Sequence, residues 1–350
     1  MADKKAVVVG GLGVIGRNLI NTLNKDPAWD VVGLSRRVPD FKSDAEFISV
    51  DLLNRQDAEQ KLAGLTDVTH IFYAAFQGRP VWAEHNAPNL AMLVNAVEPI
   101  EAASPGLRHV NLVQGNKIYG SHLGPFKTPS REDDTPHMLP NFYWDQQTWL
   151  AAQQNGKSWA WSALRPQTVC GFAVGNPMNI TTAICAYAAI SKELGLPLRF
   201  PGKPGAYTAV YQVADAEILN KAMLWCADSD AAANEVFNIT NSDFFRWSNV
   251  WPRFAKFFDL EVGDVQTISL TDFMADKGPL WASMVKKYGL QDIAWEDLVA
   301  WPFADYVFGT DWDVMTDTLK IRQAGFHDSV RSEEMFLRLF QEFRDMKVIP

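Results

Sequence analysis

The chain has 350 residues, 47% of them apolar, enough for one large domain or two that share an interface. Its formal net charge of -9 opposes a polyanion, so no nucleic-acid partner is expected and any phosphate must be held by a local cluster. Cys170, Cys185 and Cys226 lie far apart in apolar runs and form no CxxC pair, which reads as core packing in a reducing compartment; the apolar run after Met1 to Lys5 is too short for a signal or a membrane span, so a soluble cytoplasmic protein is expected.

Short β-branched runs alternate with helical patterns through the first half, the mark of stacked βα units and a parallel sheet. Strands are expected at residues 6–9, 31–34, 47–50, 70–74, 110–113 and 159–164. Residues 119–140, rich in Pro, Gly, Ser, Asp and His, form a long loop, and loops of that length are usually functional. A helix is expected over 177–194, a Pro/Gly loop over 197–205, and a further helix and strand over 213–226 and 236–239. From Trp247 onward the pattern is helical and rich in tryptophan; Trp247, Trp251, Phe254, Phe257 and Phe258 recur at helical spacing, which suits core packing better than ligand stacking. The expected fold is α/β: a Rossmann doubly wound parallel sheet over residues 1–170, rejoined by 206–242, with a smaller, mainly helical substrate lobe from 171–205 and 243–350.

The first strand runs into Gly10-Gly-Leu12-Gly13-Val14-Ile15-Gly16, three glycines at three-residue spacing ahead of a helix. The first permits the tight turn, the second lets backbone N–H groups reach a pyrophosphate, and the third lets helix and strand pack closely. The second strand ends in Ser35-Arg36-Arg37, where an NAD site needs an acidic residue for the ribose 2′-hydroxyl. Two guanidinium groups and a hydroxyl suit a 2′-phosphate, so NADPH is the expected cofactor. Asp51, before Leu52, is placed either to meet the adenine or to cap a helix. Leu52, Ala74, Ala75, Gln114, Tyr143, Pro166 and Val169 are expected along the same cofactor edge.

Most short-chain dehydrogenases carry Tyr and Lys four positions apart on one helix, so that the ammonium lowers the phenol pKa. None of the eight tyrosines here is followed by Lys at that distance; after Tyr143 the position is Gln147. A lysine stands instead in Gln114-Gly115-Asn116-Lys117-Ile118-Tyr119, directly after the fifth strand. This turn, the helix start Asn141-Phe-Tyr143, Arg165-Pro166, Gly171-Phe172, Asn179, Leu198-Arg-Phe200, Phe245-Arg-Trp247 and Trp301-Pro-Phe303 resemble the progesterone 5β-reductase and iridoid synthase-like enone reductases, over essentially the full length.

The resemblance implies NADPH-dependent hydride addition to the C=C of a small hydrophobic α,β-unsaturated carbonyl, with Tyr143 and Lys117 as the catalytic pair. It implies that Phe303 lines the substrate pocket; Phe126 is a further candidate there, and a homodimer is plausible from the family. The loop after Lys117 looks longer than in the plant enzymes, Trp144 stands where a second tyrosine is common, and Pro302 interrupts an aromatic pair, so a steroid-sized substrate does not follow. His122 and His137, in the long loop, are candidate proton donors. Two other readings remain open: a nucleotide-sugar epimerase or dehydratase of the same fold, and a non-catalytic NADP(H)-binding redox sensor.

Overall fold

The computed structural model describes residues 3–39, 41–134 and 136–350; Met1, Ala2, Asp40 and, within the long loop, Thr135 lie outside the described residues. Seven parallel strands form the main sheet: β1 (Lys4–Val9), β2 (Trp29–Ser35), β3 (Glu46–Ser49), β4 (His70–Tyr73), β5 (His109–Val113), β6 (Ala160–Pro166) and β9 (Glu235–Ile239). Their order is β3-β2-β1-β4-β5-β6-β9, so the winding reverses between β1 and β4 and opens a crevice at their carboxyl ends. Every pairing is parallel, from Val9 beside Leu34 to Pro166 beside Ile239.

The sheet is covered on both faces, and the period of two along each strand decides which residue goes where. Val7, Val9, Ile71, Tyr73, Val110 and Leu112 share one apolar cluster with Leu62, Leu93, Ala96 and Leu150, from α2 (Arg55–Leu62), α3 (Asn86–Ala103) and α4 (Phe142–Gln154). Ala6, Val8 and Phe72 face the other way, onto α1 (Val14–Leu23) and, after α5 (Ile180–Glu193) and α6 (Pro204–Thr208), α7 (Ala216–Asp228). These α1 and α7 helices pack side by side over the sheet.

Helix α5 joins α8 (Trp247–Phe257), α9 (Leu270–Phe273), α10 (Gly278–Tyr288), α11 (Trp295–Leu298), α12 (Trp301–Gly309) and α14 (Ser332–Asp345) in a separate apolar cluster, while α13 (Leu319–Gln323) sends Ile321 into the cluster of α1 and α7. Trp247, Trp251 and Phe254 are buried there against Phe200, Phe308, Phe336 and Phe340, and Phe258 is buried beside them with Phe257 partly so.

Several boundaries differ from the sequence reading for local reasons. Helix α5 begins at Ile180, not at 177, because the Asn179 side chain accepts from the Thr181 N–H and caps it there. The sixth strand runs on through Arg165 and Pro166, and a two-stranded parallel pair, β7 (Val169–Cys170) with β8 (Ala214–Asp215), was not legible as strand. The long loop opens with a single 3₁₀ turn, Asn116–Tyr119, closed by Gly120 at φ 80°. No helix among the described residues is long and apolar enough to cross a membrane.

Candidate active site

At the crevice, Gly10 has φ +86°, and a Cβ there would lie 3.0 Å from the Ala74 carbonyl and the Ala75 Cα. Only glycine satisfies both the backbone conformation and the close approach. A Cβ on Gly16 would stand 2.3 Å from the Gly10 carbonyl oxygen, so Gly16 works by letting α1 close on the turn and does not itself line the crevice. Gly13 begins α1 without a side-chain cap, leaving the positive helix end open to an anion. The crevice encloses about 600 Å³ and is lined by Gly10, Leu12, Gly13, Val14 and Ile15, by Ser35, Arg36 and Arg37, and by Asp51, Leu52, Ala74, Ala75 and Val169. Such a cradle, which a side chain would fill, fits a pyrophosphate.

Arg36 Nη1 donates to Gln77 Oε1 at 3.2 Å and Arg37 Nη2 to the Gly175 carbonyl at 3.0 Å, while Ser35 Oγ accepts from the Arg37 N–H at 3.3 Å. Both guanidinium groups are therefore posed at the crevice wall. Asp51 accepts from the Leu53 N–H at 3.0 Å, a local turn, and the cap of α2 is Asn54. Sequence reasoning missed Phe76, Gln77, Met92, Asn176 and Met178 on the same wall, because they come from loops and a helix with no motif of their own. Phe303 lines it as well. Phe126 instead lines a second cavity of about 340 Å³, with Tyr119, Gly120 and His137. Gln114 and Pro166 do not line the crevice: Pro166 ends β6 in register with Ile239, and the Gln114 amide is committed elsewhere.

That commitment joins the two chain segments carrying Lys117 and Tyr143. Gln114 Nε2 donates to the Tyr143 carbonyl at 2.6 Å. From the other side, Asn141 Oδ1 accepts from the Tyr143 N–H at 3.1 Å and Asn141 Nδ2 donates to the Lys117 carbonyl at 3.2 Å. Asn141 and Gln114 are buried, so these bonds face little competition from water. The Tyr143 hydroxyl lies over the Lys117 turn: a Cβ on Gly115 would be 3.0 Å from Tyr143 Oη. Among the described residues that hydroxyl has no hydrogen-bond partner, and Lys117 forms no ion pair.

Lys117 Nζ sits 5.1 Å from the Tyr306 ring centre and 5.8 Å from that of Trp82. Burial holds its pKa below the ordinary lysine value. Burial, reinforced by Tyr306, pushes the Tyr143 phenol well up, so it stays protonated as a donor. His122 stacks on Trp82 with ring centres 4.1 Å apart; burial first, then Lys117, drives its pKa down to about 4, so it is neutral at physiological pH. Tyr306 was legible only as the residue three beyond Phe303 on one helix, and Trp82 carried no signal at all.

Gln147, which occupies the position where a short-chain dehydrogenase usually places lysine, points into the interior and accepts from Arg165 Nη2 at 3.0 Å. A glycine turn at the switch point of a parallel sheet, with a half-buried tyrosine at the start of the helix after β5, is the frame of a short-chain dehydrogenase/reductase with a dinucleotide site.

The chain belongs to the PRISE family: the model of the PRISE-like Rossmann-fold domain matches residues 48–350. It is 35% identical to an (S)-8-oxocitronellyl enol synthase of Nepeta racemosa and 33% identical to a 3-oxo-Delta(4,5)-steroid 5-beta-reductase of Arabidopsis thaliana, each alignment covering 99% of this chain and 94% of the relative. Among solved structures, UDP-glucose 4-epimerase of Thermotoga maritima superposes with a TM-score of 0.71 at 16% identity, covering 97% of this chain and 99% of that one. A short-chain dehydrogenase/reductase superfamily protein of Agrobacterium tumefaciens with bound NAD gives 0.66 at 14%, covering 98% of each. At such identities these two show the shared fold alone.

Proposed function

We propose that the protein uses NADPH to reduce the activated C=C of a small, hydrophobic α,β-unsaturated carbonyl compound, with Tyr143 as hydrogen-bond donor to the developing enolate and Lys117 as its electrostatic partner. The relatives named as an enol synthase and as a 3-oxo-steroid reductase support a carbonyl-bearing substrate and an enol or reduced product. The observation that carries the reading is the placement of the Tyr143 hydroxyl, unpartnered among the described residues, over Gly115, in the turn that presents Lys117.

Hydride arriving at the carbon β to a carbonyl moves an electron pair onto the carbonyl oxygen, and a donor already aimed at that oxygen lowers the barrier. Bound NADPH would supply the hydride. Tyr143 stays protonated because burial disfavours its phenolate, so its hydrogen bond is available when the charge appears. Lys117, two residues beyond Gly115 in the same turn, forms no ion pair among the described residues and would add positive potential on that side of the site. Arg36 and Arg37, with the Ser35 hydroxyl, favour a 2′-phosphate and hence NADPH over NADH. Phe303 and Tyr306, both on α12, give the substrate side an apolar wall.

The assignment of Gln147 to the interior leaves Tyr143 without the ammonium that an alcohol-oxidising epimerase places four residues on, which disfavours the nucleotide-sugar reading. An oxyanion donor is typically worth about 2.7 to 4 kcal/mol, so Tyr143→Phe should lower kcat on a small enone such as cyclohexenone by about 10²-fold or more. NADPH affinity, followed by nucleotide fluorescence, should be retained. Full turnover by Tyr143→Phe with cofactor still bound would remove the role given to this residue, and tight NADPH binding by the wild type with no turnover on any enone would favour a sensor.

A further inference from the structure

Arg165, near the end of β6, is among the largest fully buried side chains, 2% exposed. Among the described residues it forms no ion pair. Its guanidinium instead donates to four neutral oxygens: Gln114 Oε1 at 3.0 Å, Tyr119 Oη at 2.7 Å, the Glu132 carbonyl at 3.2 Å and Gln147 Oε1 at 3.0 Å. The Glu132 carboxylate feels the Arg165 charge but accepts from the Asn238 N–H instead; burying a cation with no carboxylate bonded to it is expensive, and an apolar side chain would fill the same space more cheaply.

Two of these four acceptors lead to Tyr143. Gln147 lies one turn further along α4, and Gln114 donates through Nε2 to the Tyr143 carbonyl at 2.6 Å. A terminal amide can present either its oxygen or its nitrogen. The Arg165 Nε–H bond to Gln114 Oε1 settles that choice, so the nitrogen faces the Tyr143 carbonyl; turned over, the amide would set oxygen against oxygen. Gln114 also directly precedes Gly115, over which the Tyr143 hydroxyl lies.

We propose that Arg165 is a positioning residue for the reaction, fixing the Tyr143 helix against the Lys117 turn through Gln114 and Gln147. The proposal rests on the reading of Tyr143 as the enolate donor. It follows that the fork geometry matters as well as the charge, since a lysine has a single nitrogen and cannot hold both amides in these directions.

The test is a double-mutant cycle on cyclohexenone reduction with NADPH, using Arg165→Met and Tyr143→Phe in the full chain, with melting temperature as a check on folding. If Arg165 acts by placing the hydroxyl, Arg165→Met lowers kcat about tenfold or more and changes KM and NADPH affinity less than about threefold, yet adds less than about twofold in the Tyr143→Phe background. Arg165→Lys does not restore kcat. An equal loss in both backgrounds, or no loss in either, overturns the proposal, because a purely structural arginine multiplies with any other defect. Should Arg165→Met fail to fold, Gln147→Leu removes one anchor only and must show the same non-additive pattern at about threefold; a silent or multiplicative Gln147→Leu is equally fatal. Wild-type turnover by Tyr143→Phe alone would sink the role given to Tyr143 itself, and that result is read from a different corner of the cycle.

Discussion

Gly115→Ala separates the role of the Tyr143 hydroxyl from the stability of the fold. Gly115 has φ −174°, extended backbone open to any residue, so alanine brings no backbone strain. The new methyl carbon would lie 3.0 Å from Tyr143 Oη, 3.4 Å from Cζ and 3.5 Å from Cε2, against ordinary contacts of 3.4 to 4 Å. The phenol must therefore give by a few tenths of an ångström at its hydroxyl end, while the Gln114 and Asn141 bonds hold its backbone in place. Misplacement of about 1 Å in a catalytic group can cost about 10²-fold, so a shift of this smaller size should lower kcat by about three- to tenfold. Overpacking at one contact typically costs about 1 to 3 kcal/mol. Steady-state reduction of cyclohexenone, NADPH titration by fluorescence and thermal melting give the three numbers. Wild-type kcat in a folded Gly115→Ala variant would refute the placement of the reacting oxygen at this hydroxyl.

Gly16→Ala drives a Cβ into the Gly10 carbonyl, both backbone atoms that cannot step aside, and should lower the urea midpoint and abolish cofactor binding together. Replacing Arg36 and Arg37 by alanine should weaken NADPH at least about tenfold and leave NADH nearly unchanged, since a charge-assisted hydrogen bond contributes about 1.5 to 3 kcal/mol; titration calorimetry decides it, and equal losses for both nucleotides would count against the 2′-phosphate role. Burial holds His70 down to about 4 and His109 down to about 3, below their ordinary value near 6.5. Between those values the unfolded chain binds protons that the native state refuses, so stability is complete above about pH 6.5 and falls steadily as pH drops towards 4. Urea midpoints measured across that window should decline, and His109→Gln should flatten the slope; a flat wild-type profile would contradict it.

The local signals that survived into three dimensions are those whose physics is local. Alternation in the strands chose the two sheet faces, and the glycine spacing announced a turn that only glycine tolerates at Gly10. Arg36 and Arg37 could be read because they sit immediately after a strand whose end was itself legible. Gln114 was read as a cofactor residue and turns out to hold Tyr143, since a side-chain amide is chemically neutral about its partner. Trp82, in a 3₁₀ turn, and Phe126, in the long loop, show the same limit: their surroundings depend on where distant segments return.

Sequence alone determined the parallel α/β architecture, the dinucleotide turn and the absence of a Tyr–Lys pair on one helix, because each is written within a few residues of chain. That the Tyr143 hydroxyl lies over the Lys117 turn, that Tyr306 closes on both, and that a buried Arg165 ties the two segments was decided only by the tertiary structure. Those contacts join residues tens to hundreds of positions apart, and packing of the whole chain, not any local pattern, sets their distances.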